Sequence, residues 1–232
     1  ADAVVTITNT KDGEELIRAC YGDEVVVIPY VMPGFDLARL VAERFTAEAG
    51  PQTIGMVLMN HGIFSFGDSA EESYLRMIDL VDRAEQYLAG RGAWQLAKEH
   101  GEAATVDLQR LTTLRRQLSS VVGRPMIMLS DRTPTTMGFC QRADLSTISQ
   151  QGPATPDHVI RTKRLPMLGE RLDAYLDGYR GYFADHAAAA RAPVTMLDPA
   201  PRVVLDPELG MLTLGGTIKE AQINADIYHH TM

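Results

Sequence analysis

The hydrophobic positions of the first ninety residues fall into short runs separated by polar turns, and the runs alternate between two periodicities. Residues 3–8 (AVVTIT) form an apolar, β-branched run that predicts an opening strand. Asp12 with Glu15 three positions on predicts a capped helix start, and Gly22 marks its end. Residues 24–31 (EVVVIPYV) lack alternation, as expected of a strand covered on both faces. Pro33-Gly34 turns the chain, and Asp36 caps a second helix with Leu37, Leu40, Val41 and Phe45 on one face, closed by Gly50-Pro51. Residues 53–59 (TIGMVLM) predict another buried strand. A glycine-punctuated segment, residues 60–68 (NHGIFSFGD), then feeds a long helix in which Ala70, Tyr74, Met77, Val81, Ala84 and Leu88 recur at helical spacing, with Gly90 and Gly92 at its end. Strand and helix in alternation predict an α/β layered sandwich.

Beyond about Glu102 the pattern changes. Residues 108–122 predict an amphipathic helix and residues 125–129 a short strand, while residues 131–153 read as irregular and rich in Thr, Ser and Gln. Residues 168–190 predict a second long helix, residues 202–205 and 210–214 a hairpin around Pro207, and residues 217–231 a closing helix. A soft boundary falls between Gly92 and Gly101, dividing residues 1–95 from a mixed α+β region, residues 96–232. No internal repeat is visible, and the low-complexity sequence is confined to the four alanines after His186.

Composition narrows the function classes. At 232 residues the chain fits one large or two small domains, and 45% hydrophobic with 22% charged residues supplies a core and argues against disorder. A net charge of -8 disfavours nucleic-acid binding, which needs a basic surface. Cys20 and Cys140 form no CxxC pair, so a disulfide scaffold is not expected and a reducing compartment is. No run approaches a transmembrane span and no signal peptide is visible, so the expectation is a soluble, cytoplasmic protein with no membrane partner. The chain opens in an apolar run and closes within a predicted helix, which leads us to expect a segment of a longer polypeptide.

Two places can carry chemistry. Asn60-His61-Gly62 stands at the end of a buried strand, where α/β sheets collect functional groups, and the glycine lets the imidazole project. A lone histidine there is more often a hydrogen-bonded structural residue than a ligand. The second is Thr155-Pro156-Asp157-His158 running into Arg161-Thr162-Lys163-Arg164, a capped helix start followed by basic residues. It reads equally as an anion site or as a solvated basic face. Other patterns lead nowhere. Gly210 to Thr217 mimics a P-loop but has Gly216 where the lysine belongs, and neither G-x-G-x-x-G nor G-x-S-x-G occurs. His229-His230 are adjacent, point apart on a helix and read as incidental.

Three stretches, residues 29–38 (PYVMPGFDLA), 56–88 (MVLMNHGIFSFGDSAEESYLRMIDLVDRAEQYL) and 152–166 (GPATPDHVIRTKRLP), resemble the class II aldolase/adducin family. The resemblance is nearest to the aldolase region of bacterial bifunctional proteins that join a rhamnulose-1-phosphate aldolase-like part to a short-chain dehydrogenase. It implies a three-layer α/β/α sandwich followed by a mixed α+β extension. It also implies a divalent metal, normally Zn²⁺, for which His61 matches the third histidine of the family. The family's His-x-His pair would stand just before Ala1, and its catalytic acidic residue and phosphate loop lie upstream too, so no catalytic residue is assigned here.

In this family the ion polarises the carbonyl and hydroxyl oxygens of a ketose phosphate while a carboxylate moves protons. The expected activity is therefore aldol cleavage of a sugar phosphate such as a rhamnulose-1-phosphate-like ketose, giving dihydroxyacetone phosphate and lactaldehyde. Asn60 is the candidate to orient His61, and Asp157, His158, Arg161 and Lys163 are candidates to face substrate or anion. NAD is expected only if a dehydrogenase domain follows the chain, and the resemblance implies a homo-oligomer, a tetramer. The alternatives are a non-catalytic, adducin-like interaction module and a region serving a downstream dehydrogenase.

Overall fold

The computed structural model describes residues 2–93, 105–190 and 192–232, and the chain forms two compact units. The first is Ala1–Ala97 with Ala154–Pro156, and the second is Lys98–Pro153 with Asp157–Met232. Among the described residues no helix is long and apolar enough to cross a membrane.

The first unit runs α1 (Asp2–Thr8), α2 (Gly13–Tyr21), a 3₁₀ turn (Gly22–Glu24), β1 (Val25–Ile28), α3 (Phe35–Glu48), β2 (Gly55–Leu58), β3 (Gly62–Ser65) and α4 (Ala70–Gly90). The sheet order is β1-β2-β3, with β1 parallel to β2 and β2 antiparallel to β3. Successive strand residues face opposite sides. Val25, Val27 and Val57 pack with Ile7, Ile17, Leu80 and Ala84 of α1, α2 and α4. Val26, Ile28 and Leu58 pack with Leu37, Leu40, Val41 and Phe45 of α3. The unit is thus the three-layer α/β/α sandwich expected, and the missing alternation in β1 follows from its burial on both faces.

Five local readings are corrected here. Residues 3–8 form a helix, because Ala3, Val4 and Ile7 are buried together at helical spacing while Thr6 stays exposed. The α2 N-cap Asp12 makes no side-chain capping hydrogen bond. The cap of α3 is Gly34, with Asp36 inside the first turn. In α4 the buried stripe is Leu80, Ala84 and Leu88, and Tyr74 is 65% exposed. The segment read as a glycine-rich connection holds β3.

In the second unit α5 (Leu108–Val122) occupies the predicted span, opened by Asp107, whose side chain accepts from the Arg110 amide, and closed by Gly123 in the left-handed region. There follow β4 (Ile127–Asp131), α6 (Pro134–Cys140), α7 (Leu145–Ile148), α8 (Pro156–Thr162), β5 (Met167–Leu168), α9 (Leu172–Ala187), β6 (Val203–Asp206), β7 (Gly210–Gly215) and α10 (Ile218–His229). Two short helices therefore interrupt the stretch read as irregular. Their Thr- and Ser-rich sequence has little helical preference, and α6 starts on the Thr133 side chain, which accepts from the Thr136 amide. The long helix begins at Leu172 because Leu168 pairs with Leu205 in the sheet.

Sheet order is β4-β7-β6-β5, antiparallel except for β5 with β6. Val204, Leu212 and Leu214 pack with Leu114 and Leu118 of α5. Val203, Leu205 and Met211 face Cys140 and Tyr228 of α6 and α10.

Candidate functional site

His61 lies at the tip of the β2–β3 hairpin, whose three-residue loop, Met59-Asn60-His61, is closed by the Leu58↔Gly62 pair. The His61 amide donates to the Leu58 carbonyl at 3.1 Å. Asn60 takes φ +57°, a left-handed conformation that asparagine tolerates better than most residues. Its amide nitrogen donates to Asn9 Oδ1 at 2.9 Å and to the Thr8 carbonyl at 3.4 Å. Asn60 therefore ties the tip to the end of α1, its side-chain amide directed at Thr8 and Asn9 rather than at His61. The imidazole is half-buried, and among the described residues its buried Nδ1 has no hydrogen-bond partner. A desolvated ring nitrogen with no partner is costly in a purely structural residue, and a bare lone pair is what a cation coordinates.

The stretch from Gly152 to Pro166 is arranged differently from the expectation. His158 is buried, with Nε2 2.7 Å from Thr231 Oγ1, and burial holds its imidazole below the ordinary histidine range, reinforced by the nearby charge of His230. Lys163 is buried as well. Its ammonium donates to the Asp198 carbonyl at 2.6 Å and to the Tyr179 hydroxyl at 3.3 Å, and lies 4.5 Å from the Tyr179 ring centroid. Burial lowers its pKa to about 8 against the opposing pull of Asp198, with Arg202 lowering it further. Burial also pushes the Asp198 carboxyl up, but the paired hydrogen bonds and charge of Arg202, with the charge of Lys163, hold it below the usual carboxylate range. Asp157 and Arg161 are exposed. The four side chains do not converge on one point: two turn inward and anchor the second unit, and two face solvent.

Sequence reasoning missed two polar clusters, because their members lie far apart along the chain. Arg110 on α5 gathers three carboxylates: Glu170, Glu208 at 2.7 Å and Asp206 at 2.5 Å, the last only 1% exposed. At the end of β4, the Asp131 carboxylate accepts from the Thr133 amide at 2.9 Å and the Thr136 hydroxyl at 2.9 Å, and lies 2.7 Å from His229 Nε2. Burial raises the Asp131 pKa, but these partners together bring it below its ordinary value. His229, read as incidental, is thus the partner of a carboxylate on another element. A cavity of about 270 Å³ in the second unit is lined by Gln150, Arg164, Tyr175, Tyr179 and Tyr182.

Among the described residues no three His, Cys, Asp or Glu side chains are grouped to hold a metal ion. Both cysteines are free, and burial pushes the Cys140 thiol up to about 12, the opposite of what a metal thiolate requires. His61, with its bare nitrogen, fits a place as one ligand of such an ion, and further ligands would have to come from elsewhere.

Residues 2–88 match the model of the Class II Aldolase and Adducin N-terminal domain. Residues 105–232 match that of Aldolase class II, second domain. The whole chain is 24% identical over 259 residues to an uncharacterized oxidoreductase, YuxG, of Bacillus subtilis (strain 168), and spans 36% of that protein's length. It is also similar to the N-terminal class II aldolase domain of a conserved protein from Thermoplasma acidophilum, at 41% identity over 38% of this chain and 39% of that one, with a TM-score of 0.33. With the two family models together covering most of its length, the chain belongs to the class II aldolase/adducin family.

Proposed function

We propose that this chain is the aldolase region of a longer polypeptide that cleaves a sugar phosphate, such as a rhamnulose-1-phosphate-like ketose, to dihydroxyacetone phosphate and lactaldehyde. The observation that carries the reading is the unpartnered, buried Nδ1 of His61 at a strand-end hairpin tip, in a chain of aldolase family. His61 is one ligand of a divalent ion, zinc first, and the other ligands come from residues outside the described ones. When bound, such an ion supplies Lewis-acid polarisation of substrate oxygens. The part of this chain's own residues is to hold the imidazole: the Leu58 carbonyl fixes the His61 amide, and Asn60 locks the turn onto α1. The test measures zinc content and aldol cleavage in the full-length polypeptide and in His61→Ala. Loss of both supports the reading, and equal zinc and equal activity in the two proteins defeat it.

A second reading is a non-catalytic, adducin-like interaction module, since the matched family model covers adducin as well as aldolase. A full-length protein without bound zinc or cleavage activity would establish it. The relative's description as an oxidoreductase, and its greater length, support a fused dehydrogenase domain, which would bring NAD as a second cofactor. We also propose self-association through exposed apolar side chains of the first unit, among them Phe35 at 82% exposure, with Tyr74, Leu75 and Ile78; sedimentation velocity that finds only monomer would exclude it.

A further inference from the structure

Two stretches remote in sequence are built on one plan. In the first unit β1 crosses through α3 to a parallel neighbour, β2, which turns through three residues into antiparallel β3 and continues into α4. In the second unit β5, α9, β6, β7 and α10 repeat that order and those pairings. The hairpins agree residue for residue: Leu58↔Gly62 and Val57↔Ile63 in one, Asp206↔Gly210 and Leu205↔Met211 in the other. Each equivalent pair stands 148 residues apart, without insertion, from Gly55 and Val203 to Leu80 and Tyr228.

The hydrogen bonds repeat at the same spacing. Ser65 Oγ donates to the Ser73 carbonyl at 2.8 Å, and Thr213 Oγ1 to the Ala221 carbonyl at 2.9 Å. Arg76 donates to the Phe66 carbonyl at 2.8 Å, and Asn224 to the Leu214 carbonyl at 2.7 Å. The Phe66 amide donates to the Ile54 carbonyl at 3.3 Å, and the Leu214 amide to that of Arg202 at 2.9 Å. Both following helices open with the same reciprocal cap. The Glu72 and Glu220 amides donate to Ser69 Oγ and Thr217 Oγ1, each at 3.1 Å, while the two carboxylates accept from the Asp68 and Gly216 amides, each at 2.7 Å. Before each cap stands a glycine whose replacement would collide with that glutamate: a Cβ on Gly67 would lie 2.9 Å from Glu72 Cγ, and one on Gly215 2.7 Å from Glu220 Cβ.

From this set of matches we infer that the second unit contains an internal copy of the first in which the ligand-bearing tip has been lost. No internal repeat is visible in the sequence, and the match emerges only in the structure. Only Gly62/Gly210, Gly67/Gly215 and Glu72/Glu220 are identical, so the repeat lies in hydrogen bonds and burial rather than in residue identity. The difference is concentrated at the tip. Met59-Asn60-His61 is matched by Pro207-Glu208-Leu209, and Leu58 by Asp206. The Asp206 carboxylate accepts from the Glu208 and Leu209 amides at 2.9 and 2.8 Å and also from Arg110. Leu209, in the place of His61, is 1% exposed and packs into the core. The second tip is clamped by the Arg110–Asp206 ion pair and plugged by an aliphatic side chain, so of the two described tips His61 alone offers a metal an imidazole.

This last step rests on the metal reading of His61, and two measurements separate it from the copy. In an experimental structure of the protein, residues 55–80 should overlay 203–228 without insertion, with His61 and Leu209 in the same place. A different loop length in either hairpin, or different partners for Ser65 and Thr213, would overturn the copy. Equilibrium dialysis of the full-length polypeptide against Zn²⁺ should show equal binding by the wild type and Glu208→Gln, and loss of that zinc in His61→Ala. Zinc kept by His61→Ala but lost on Glu208→Gln would overturn the vacated tip. Zinc bound by none of the three would defeat the metal reading while the overlay still decides the copy.

Discussion

The β2–β3 and β6–β7 hairpins share loop length, strand pairing, the cap that follows and the glycine before it, yet one ends in a half-buried imidazole with a bare nitrogen and the other in a sealed, ion-clamped turn. The contrast separates what makes the scaffold from what makes a site. A glycine at close quarters, a Ser or Thr hydroxyl turned onto the helix and a glutamate cap preserve the geometry, and the three loop residues can then change from chemistry to structure without moving it.

The largest effect that would sharpen this contrast is at Arg110. Arg110→Ala leaves Asp206 buried without its counter-charge and should cost about 3 kcal/mol, read as a fall in the urea midpoint of the second unit. A midpoint shift near zero would mean that the loop amides alone satisfy the carboxylate. Next come the two equivalent tip positions. Leu209→Ala should cost about 2–3 kcal/mol through the cavity it opens, whereas His61→Ala should stay within about 0.5 kcal/mol, because its ring carries an unsatisfied atom and little packing. Equal losses at both positions would break the comparison.

Matched removal of the hydroxyl hydrogen bonds, by Ser65→Ala and Thr213→Val, should cost about 1 kcal/mol each by the same denaturation assay. The last effect concerns pH. The unfolded chain keeps the Lys163 proton up to its ordinary pKa near 10.5, while the folded chain releases it near 8, so between those values the unfolded state binds more protons and stability rises with pH. The cost of burying the charged amine is full below about pH 8, and the wild type should gain on Lys163→Met as pH climbs from there toward 10.5. A difference between the two proteins that does not change with pH would show that the amine is solvated.

Much of the framework was legible along the chain. The span of α5, the β6–β7 hairpin around Pro207 and the two-face burial of β1 follow from local periodicity and turn residues. Residues 3–8 did not, because a short β-branched run suits strand or helix, and packing of Ala3, Val4 and Ile7 decides between them. His61 stood out because its loop is contiguous in sequence. The Arg110 and Asp131 clusters did not, since each joins residues roughly a hundred positions apart, a distance at which sequence pattern carries no signal. The burial of His158 and Lys163 was equally hidden, because it depends on Thr231, Tyr179 and Asp198 closing over them.

The sheet orders carry one more consequence. β7 has a neighbour on each side, β6 and β4, whereas its counterpart β3 is the end strand of β1-β2-β3. An end strand presents a row of amide and carbonyl groups that template the addition of another strand. A strand joining β3 as β4 joins β7 would run antiparallel to it, and its last residue, in the place of Asp131 opposite Met211, would come to rest opposite Ile63, two positions from His61. Among the described residues, the first sheet is thus left able to accept a further antiparallel strand on the edge next to His61, where the second sheet already has one.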